Sequence, residues 1–149
     1  MNKIVFAALF STFLFISACS TRGEIDLGEQ NRSLMDLQKV VEASLPGGRR
    51  SVSSNARTFT SNYFGVKKDG TFEAAPEAST RYAAQVVING DRRPYTIKVI
   101  VFKEKRSSGG EYDKLGPDEG LGRVVSRRIQ KALHERREDR SIIDDFRVF

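Results

Sequence analysis

The stretch RYAAQVVINGDRRPYTIKVIVFK, residues 81–103, decides the fold. Every second side chain on both sides of the Asn89-Gly90 step is apolar or aromatic, and this period of two is typical of strands that bury one face. An Asn-Gly pair readily adopts the positive backbone angles of a tight reversal. The stretch therefore predicts an antiparallel hairpin with strands over residues 81–88 and 95–103. Its buried row comprises Tyr82, Ala84, Val86, Ile88, Tyr95, Ile97, Val99 and Val101.

A helix is predicted before this hairpin and another after it. The first spans residues 33–45, where Ser33 and Asp36 have the spacing of a capping box and Pro46 follows as a terminator. The second opens at residues 115–119 with a proline and two carboxylates, which oppose the helix dipole. Its apolar stripe comprises Leu121, Val124, Val125, Ile129, Ala132 and Leu133.

The other segments are predicted mostly as connections. Residues 20–32 and 49–55 are polar and unperiodic, so we expect a tether and a loop. Residues 57–66 are rich in Thr, Phe and Tyr and predict a strand, whereas residues 71–79 contain a proline and predict a long connection. The apolar residues of 141–149 predict a last strand or a packed extended segment. The expected fold is α+β: a three- to four-stranded antiparallel meander packed with two helices, in the order α-β-β-β-α with a short C-terminal strand.

The N-terminus has the form of a secretory signal. Lys3 precedes an apolar block over residues 4–18 that is interrupted only by serine and threonine. As a helix these 15 residues span about 22 Å, which is less than the roughly 30 Å hydrocarbon core of a bilayer. A stable transmembrane anchor is therefore the weaker interpretation.

The apolar block ends in Ile16-Ser17-Ala18-Cys19, where an aliphatic residue and two small ones precede the only cysteine. This sequence resembles the lipobox of bacterial lipoprotein precursors. The resemblance implies cleavage after Ala18, a diacylglyceryl thioether on Cys19 and acylation of the new amino terminus, which together would hold the protein at a membrane. Ser20, in place of an aspartate after the cysteine, favours sorting to the outer membrane. The alternative is an ordinary signal peptide with a chance cysteine.

The mature chain is expected to be one domain. Removal of residues 1–18 takes away a single charge and leaves 131 residues with 24 basic and 19 acidic side chains. We assign residues 19–32 to the lipidated cysteine and its tether, and residues 33–149 to one small α+β domain. With Cys19 acylated the domain has no thiol, which excludes disulfides and cysteine-ligated zinc. The basic balance suits anionic lipids or acidic proteins, and export argues against nucleic acid.

Catalytic and metal sites find little support in the sequence. The only histidine, His134, lies on the polar side of the second helix, and no G-x-S-x-G elbow accompanies it. The carboxylates near the start of that helix lack the spacing of a calcium loop, and the nearby glycines lack the Lys-Ser/Thr ending of a phosphate loop. We therefore predict no enzyme activity, cofactor or metal. The carboxylates, interpreted as helix caps, are Glu111, Asp113, Asp118 and Glu119.

Clustered cations are the remaining candidate site. Arg92 and Arg93 lie in the predicted hairpin turn, and Arg123, Arg127 and Lys131 lie on the polar face of the second helix. Arginine forks bind phosphate and carboxylate groups in bidentate fashion, so these residues are candidates for contact with an anionic partner. The alternative is that they are dispersed and only solubilise the surface.

These features predict a lipid-anchored outer-membrane lipoprotein that faces the periplasm and has a structural, adaptor or envelope-assembly role through protein contacts. The alternative function is a module that binds lipid, lipopolysaccharide or glycan through a basic face or a sheet-lined pocket. An empty apolar cavity beside Ala83 and Ala84 would favour the binding module, whereas a filled core would favour the adaptor.

Overall fold

The computed structural model describes the backbone of residues 23–144 and the side chains of residues 23–136. Within these residues one antiparallel sheet of eight strands packs with two helices. In chain order the elements are β1 (Ile25–Gln30), α1 (Leu34–Ser44), β2 (Arg49–Val52), β3 (Thr58–Ser61), β4 (Phe64–Val66), β5 (Phe72–Ala74), β6 (Thr80–Asn89), β7 (Tyr95–Arg106), β8 (Tyr112–Pro117) and α2 (Glu119–Asp144).

The hairpin of β6 and β7 forms the centre of the sheet, which confirms the prediction for residues 81–103. The two strands pair without interruption from Thr80 opposite Lys105 to Asn89 opposite Thr96. Gly90 takes a φ of 109°, a conformation that glycine adopts without strain, at the reversal. The predicted inward row is buried except for Tyr82, which is partly exposed.

Two short strands lie end to end along each outer side of this hairpin. On the β7 side, β1 pairs with the first half of the strand and β8 with the second half. On the β6 side, β3 and β4 share the edge in the same way, and β2 and β5 then extend the sheet. Six shorter strands therefore lie on the two sides of the central pair, two beside β7 and four on the β6 side.

The prediction of a three- to four-stranded sheet was wrong, because four of the segments that were read as tether, loop, connection or helix start are strands. Residues 25–30 form β1, so the domain begins well before the predicted boundary at residue 33. The other three are β2, β5 and β8. These short strands bury few side chains: all four residues of β2 are exposed, and only Leu27 of β1 is buried. Backbone pairing with neighbouring strands, and not apolar patterning, holds them in the sheet.

The predicted strand over residues 57–66 is divided into β3 and β4. The break at Asn62 is held by contacts with the end of α1: the Asn62 side-chain amide donates to the Gly47 carbonyl at 2.7 Å, and its backbone N–H donates to the Gly48 carbonyl at 2.9 Å. Ser61 is fully buried, and its hydroxyl accepts the Ala84 N–H at 2.9 Å.

Both predicted helices are present, with different bounds for the second. Ser33 caps α1 through its hydroxyl, which accepts the Asp36 N–H at 3.2 Å. Asp118 caps α2 by accepting the Leu121 N–H at 2.9 Å, so the helix starts after Pro117 and not at residue 115. Residues 141–144 continue α2, which corrects the expected C-terminal strand there. Residues 145–149, the predicted signal segment 1–18 and Cys19 lie outside the described residues.

The core fills the space between the sheet and the two helices, which share one face. Leu37 and Val41 of α1, Val125 and Ile129 of α2 and the inward row of β6 and β7 belong to one apolar cluster. Leu37, Val41, Val125 and Ile129 are all fully buried. Burial of each such side chain contributes roughly 1.5–3 kcal/mol, so this layer supplies most of the stabilisation. The opposite face of the sheet is not covered by α1 or α2.

Candidate functional site

The cations predicted on the second helix form an exposed row on α2, but two of them are paired with carboxylates one turn away. The Arg123 guanidinium lies 3.3 Å from Glu119, and the Lys131 ammonium lies 3.7 Å from Glu135. Arg127 lies between them. Exposed pairs of this kind are individually weak, yet they reduce the positive potential of the row. The basic face is therefore less cationic than the sequence suggested.

Arg92 and Arg93 lie in the exposed turn between β6 and β7, as predicted. Arg93 also lines a groove with Gln130 and His134 of α2. The lining of that groove does not include Arg92 or the three cations of the α2 row. The five predicted cations thus do not form one site.

The groove has a volume of about 1000 Å³ and lies between the β1–α1 connection, the hairpin turn and α2. Arg32 lines the groove and donates from Nη2 to the Leu133 carbonyl. His134 is exposed there, in agreement with the prediction of an exposed helix residue. The lining residues are Glu29, Gln30, Asn31, Arg32, Ser33, Asp36, Arg93, Gln130, Leu133 and His134. Charges of both signs and amides make this groove suited to a polar ligand.

Residues 29–32 of this groove were missed by sequence reasoning, because they were assigned to a tether. The hydrogen bond from Arg32 to α2 spans 101 positions of the chain, and no local pattern indicates it. The run Glu29 to Ser33 is polar throughout, which is also typical of a linker.

A second cluster, on the sheet face opposite the helices, centres on Arg81. Its guanidinium stacks on the rings of Tyr63 and Tyr112, with 3.5 and 3.4 Å to the ring centroids. Nε and Nη2 both donate to one carboxylate oxygen of Glu104 at 2.9 Å, and Nη1 donates to the Pro76 carbonyl at 2.7 Å. Because Arg81 already has partners on every side, this cluster joins strands and does not present a free cation.

Ala83 and Ala84 lie on opposite faces of the sheet. Ala84 is fully buried within the helix-covered core, among side chains that leave it no exposed surface. Ala83 lies at the bottom of a shallow depression of about 240 Å³ on the opposite face, which is lined by Arg50, Thr60, Ala83, Gln85, Phe102, Glu104 and Lys114. The core beside Ala84 is therefore filled, which was the condition that favoured an adaptor.

The carboxylates that were considered as metal ligands are dispersed. Asp118 caps α2, Glu119 pairs with Arg123, and Asp113 lies in β8 opposite Lys105. Glu111 is exposed just before β8. Among residues 23–136, no group of three or more histidine and carboxylate side chains could hold a metal ion.

The chain enters the sheet at Gly23, which is buried where β1, β8 and α2 meet. A Cβ on this glycine would lie 2.5 Å from the Pro117 Cβ, so the backbone is in close contact with the end of β8. The Glu24 carboxylate lies 2.7 Å from the Lys98 ammonium, and this hydrogen bond and charge raise the pKa of Lys98 above its ordinary value. The first described residues are thus fixed to the sheet.

Comparison with known proteins gives no match: no family model, no curated protein and no solved structure resembles the chain. In the part of the chain that the structure describes, neither helix is long and apolar enough to cross a bilayer.

Proposed function

We propose that the protein is a lipid-anchored envelope protein, held in the outer membrane by acyl chains on Cys19 with its domain in the periplasm, and that it acts as a non-catalytic adaptor or assembly subunit. The observation that carries the anchor is the sequence Ile16-Ser17-Ala18-Cys19 at the end of a short apolar block. Two or three acyl chains are sufficient for stable attachment. Neither a metal nor a cofactor enters this proposal.

The packing of the domain supports the adaptor role. The space between helices and sheet is occupied by fully buried side chains such as Val86, Val99 and Val101, so no room for a lipid tail is left beside them. Within residues 23–136, the sheet face opposite α1 and α2 and the exposed edge strand β2 remain as surfaces for protein contacts. Such surfaces are what a subunit of a larger assembly presents to its neighbours.

The groove beside α2 favours a second candidate, the binding of a polar anionic ligand. Its volume of about 1000 Å³ is at the upper end of the range for small-molecule sites, and Arg93 adds an exposed guanidinium to its rim. Arg93→Ala should then weaken binding of an anionic glycan or lipid headgroup, whereas Arg92→Ala, one residue away and outside the lining, is the matched control. Equal binding by both variants would contradict this candidate.

Acylation is tested by expressing the full chain with radioactive palmitate. Cys19→Ser should abolish incorporation of label and release the protein from the membrane fraction. Ser17→Ala keeps a small residue before the cleavage point and should remain labelled. Labelling of Cys19→Ser, or unchanged membrane fractionation of that variant, would exclude the lipoprotein.

The adaptor role is tested by crosslinking in intact cells, followed by purification of the lipidated protein. We expect a defined envelope protein to be captured by the wild-type chain at a fixed stoichiometry. Recovery of the chain alone, with bound lipid or glycan, would favour the groove and contradict the adaptor.

A further inference from the structure

The distance between Cys19 and the sheet is short. Residues 20–22 alone separate the cysteine from Gly23, which is already buried in the fold. Four residue steps span at most about 14 Å, whereas the predicted tether to residue 33 would have allowed about 50 Å. If Cys19 carries the lipid, as proposed above, the domain cannot move far from the bilayer.

Gly23 also lies at a definite place on the molecule, the side of the sheet formed by β1 and β8. Ile25 pairs with Val99 and Pro117 pairs with Phe102, so the two short strands meet beside the middle of β7. The first turn of α2 packs against the same part of the chain. A Cβ added to Gly122 would lie 3.9 Å from the Gly23 carbonyl oxygen. A tether that leaves from this point brings this side of the domain to the membrane.

We propose that this side contacts the headgroup layer of the membrane that holds Cys19, through a surface formed by Lys114, Leu115, Glu119 and Arg123. We call this the anchor-proximal surface. All four side chains are exposed. Lys114 and Leu115 lie three and two residues before Pro117, which is in close contact with Gly23. A Cβ on Gly23 would lie 3.7 Å from Glu119, and Arg123 lies 3.3 Å from the Glu119 carboxylate. The inference rests on acylation of Cys19 and extends it to the orientation of the domain.

The chemistry of this surface fits a headgroup layer. Leu115 is 57% exposed, the second largest exposed fraction among the large apolar side chains of the described residues. Arg123 on α2 and Lys114, whose ammonium lies 6.0 Å from the centroid of the Phe102 ring on the opposite sheet face, add cationic groups that can bind lipid phosphates on both sides of this edge. The ion pair of Arg123 with Glu119 is exposed and therefore weak, so it does not prevent contact of Arg123 with a lipid phosphate. An apolar side chain between cations is a common composition at membrane interfaces.

The same geometry directs β2 away from the bilayer. The strand order from β8 is β7, β6, β3 and β2, so β2 lies four positions away, about 19 Å at the usual spacing of strands. Val52 on β2 is 40% exposed and apolar, which makes it the matched counterpart of Leu115. The edge that is free for protein partners thus points into the periplasm.

The test compares one fluorophore at two positions of the lipidated full-length protein. Because acylation consumes Cys19, the only natural cysteine, Leu115→Cys and Val52→Cys each have a single reactive thiol. The labelled proteins are reconstituted in vesicles of phosphatidylethanolamine and phosphatidylglycerol that contain a lipid with a nitroxide headgroup. We expect quenching at position 115 to exceed that at position 52 about threefold, since β2 and β8 are separated by four strand spacings, about 19 Å along the sheet.

A longer tether tests whether the short span between Cys19 and Gly23 causes the orientation of the domain. Insertion of 12 glycine and serine residues between Thr21 and Arg22 raises the root-mean-square reach to roughly 20–24 Å. Quenching at the two positions should then become similar, with membrane fractionation unchanged. If the difference persists, the tether does not impose the orientation and the proposal fails on that point.

The outcomes separate the two levels of the argument. If the parent protein incorporates no palmitate, the proposed acylation of Cys19 is contradicted, whatever the quenching experiment shows. A palmitate-labelled protein with equal quenching at both positions overturns the orientation alone, as does stronger quenching at position 52. If either substitution disturbs folding, Lys114→Cys and Lys68→Cys repeat the comparison, because Lys68 is exposed in the turn between β4 and β5 on the opposite side of the sheet.

Discussion

Replacement of Arg81 by methionine removes the partner of a buried carboxylate and should be among the most destabilising single changes on the sheet face opposite the helices. The side chains of Arg81 and Glu104 are only 13% and 8% exposed. Both Nε and Nη2 of Arg81 lie 2.9 Å from one Glu104 oxygen. Methionine keeps an unbranched apolar chain in place of the stem of arginine but supplies neither charge nor hydrogen-bond donors.

The expected loss of unfolding free energy follows from the charge that remains. Breaking a buried ion pair from one side costs about 3–5 kcal/mol, because the other charge stays desolvated without a partner. The contacts of Arg81 with Tyr63 and Tyr112 add roughly 0.5–1 kcal/mol each, part of which the methionine side chain restores by packing on the rings. We therefore expect Arg81→Met to lower the unfolding free energy by about 4 kcal/mol. Adding Glu104→Leu should recover at least about 2 kcal/mol, since no buried charge is then left.

Urea unfolding of the chain without residues 1–19, followed by far-ultraviolet circular dichroism at pH 7, measures these changes. With a typical dependence on urea, a loss of about 4 kcal/mol moves the midpoint by roughly 2 M. Arg92→Met is the matched control in an exposed turn and should change stability by less than about 0.5 kcal/mol. A loss below about 1 kcal/mol for Arg81→Met, or a further loss on adding Glu104→Leu, would refute the reasoning.

Three further changes test other parts of the fold by the same unfolding assay. Gly23→Ala should cost about 1–3 kcal/mol more than Gly28→Ala, because both glycines have positive φ but only the first would place a Cβ 2.5 Å from Pro117; equal losses would contradict the contact. Phe64→Ala should cost about 3–5 kcal/mol, since the ring is fully buried, and a smaller loss would indicate a looser core there. Ser33→Ala should cost about 1 kcal/mol through loss of the α1 cap, whereas Ser33→Thr keeps a hydroxyl that can accept the Asp36 N–H and donate to the Asp36 carboxylate, so it should stay close to the parent.

The central hairpin and α1 could be predicted because their sequences have strong local signals. Residues 81–103 alternate apolar side chains around an Asn-Gly step, and α1 combines a capping serine with an apolar stripe. In both cases the side chains that set the pattern are the ones that fill the core, Val86 and Leu37 among them. Periodicity and burial therefore agree.

The flanking strands could not be predicted for a physical reason. In β8 no residue is buried, and in β2 all four side chains are exposed. Neither strand therefore has a row of buried apolar side chains that would indicate it in the sequence. Each is held by hydrogen bonds to the strand next to it in the chain, β8 to β7 and β2 to β3, and backbone pairing of this kind leaves no pattern of buried side chains. A bulge at β1 between Asp26 and Glu29 disturbs alternation there as well.

The candidate site was predicted only in part for the same reason. Arg93 was identified as an exposed cation, but its neighbours in the groove come from the β1–α1 connection and from α2. Arg81 had no sequence signal at all, because its partners Glu104 and Tyr112 belong to other strands and Tyr63 lies in the break between β3 and β4. The cationic row on α2 was visible as a helical pattern, whereas its reduced charge depends on side-chain pairing with Glu119 and Glu135.

The pairing of β1 with β7 also sets an order of events as the chain folds. Ile25 pairs with Val99, 74 positions later, so β1 has no partner until β7 exists. Closing a loop of that length costs about 4 kcal/mol of chain entropy beyond a constant, whereas the β6–β7 hairpin closes over a few residues. We expect β1 to join last, and Leu27→Ala should then accelerate unfolding while leaving the folding rate almost unchanged. If Cys19 is acylated as proposed, the span between the lipid and the domain is shortened only at this final step of folding.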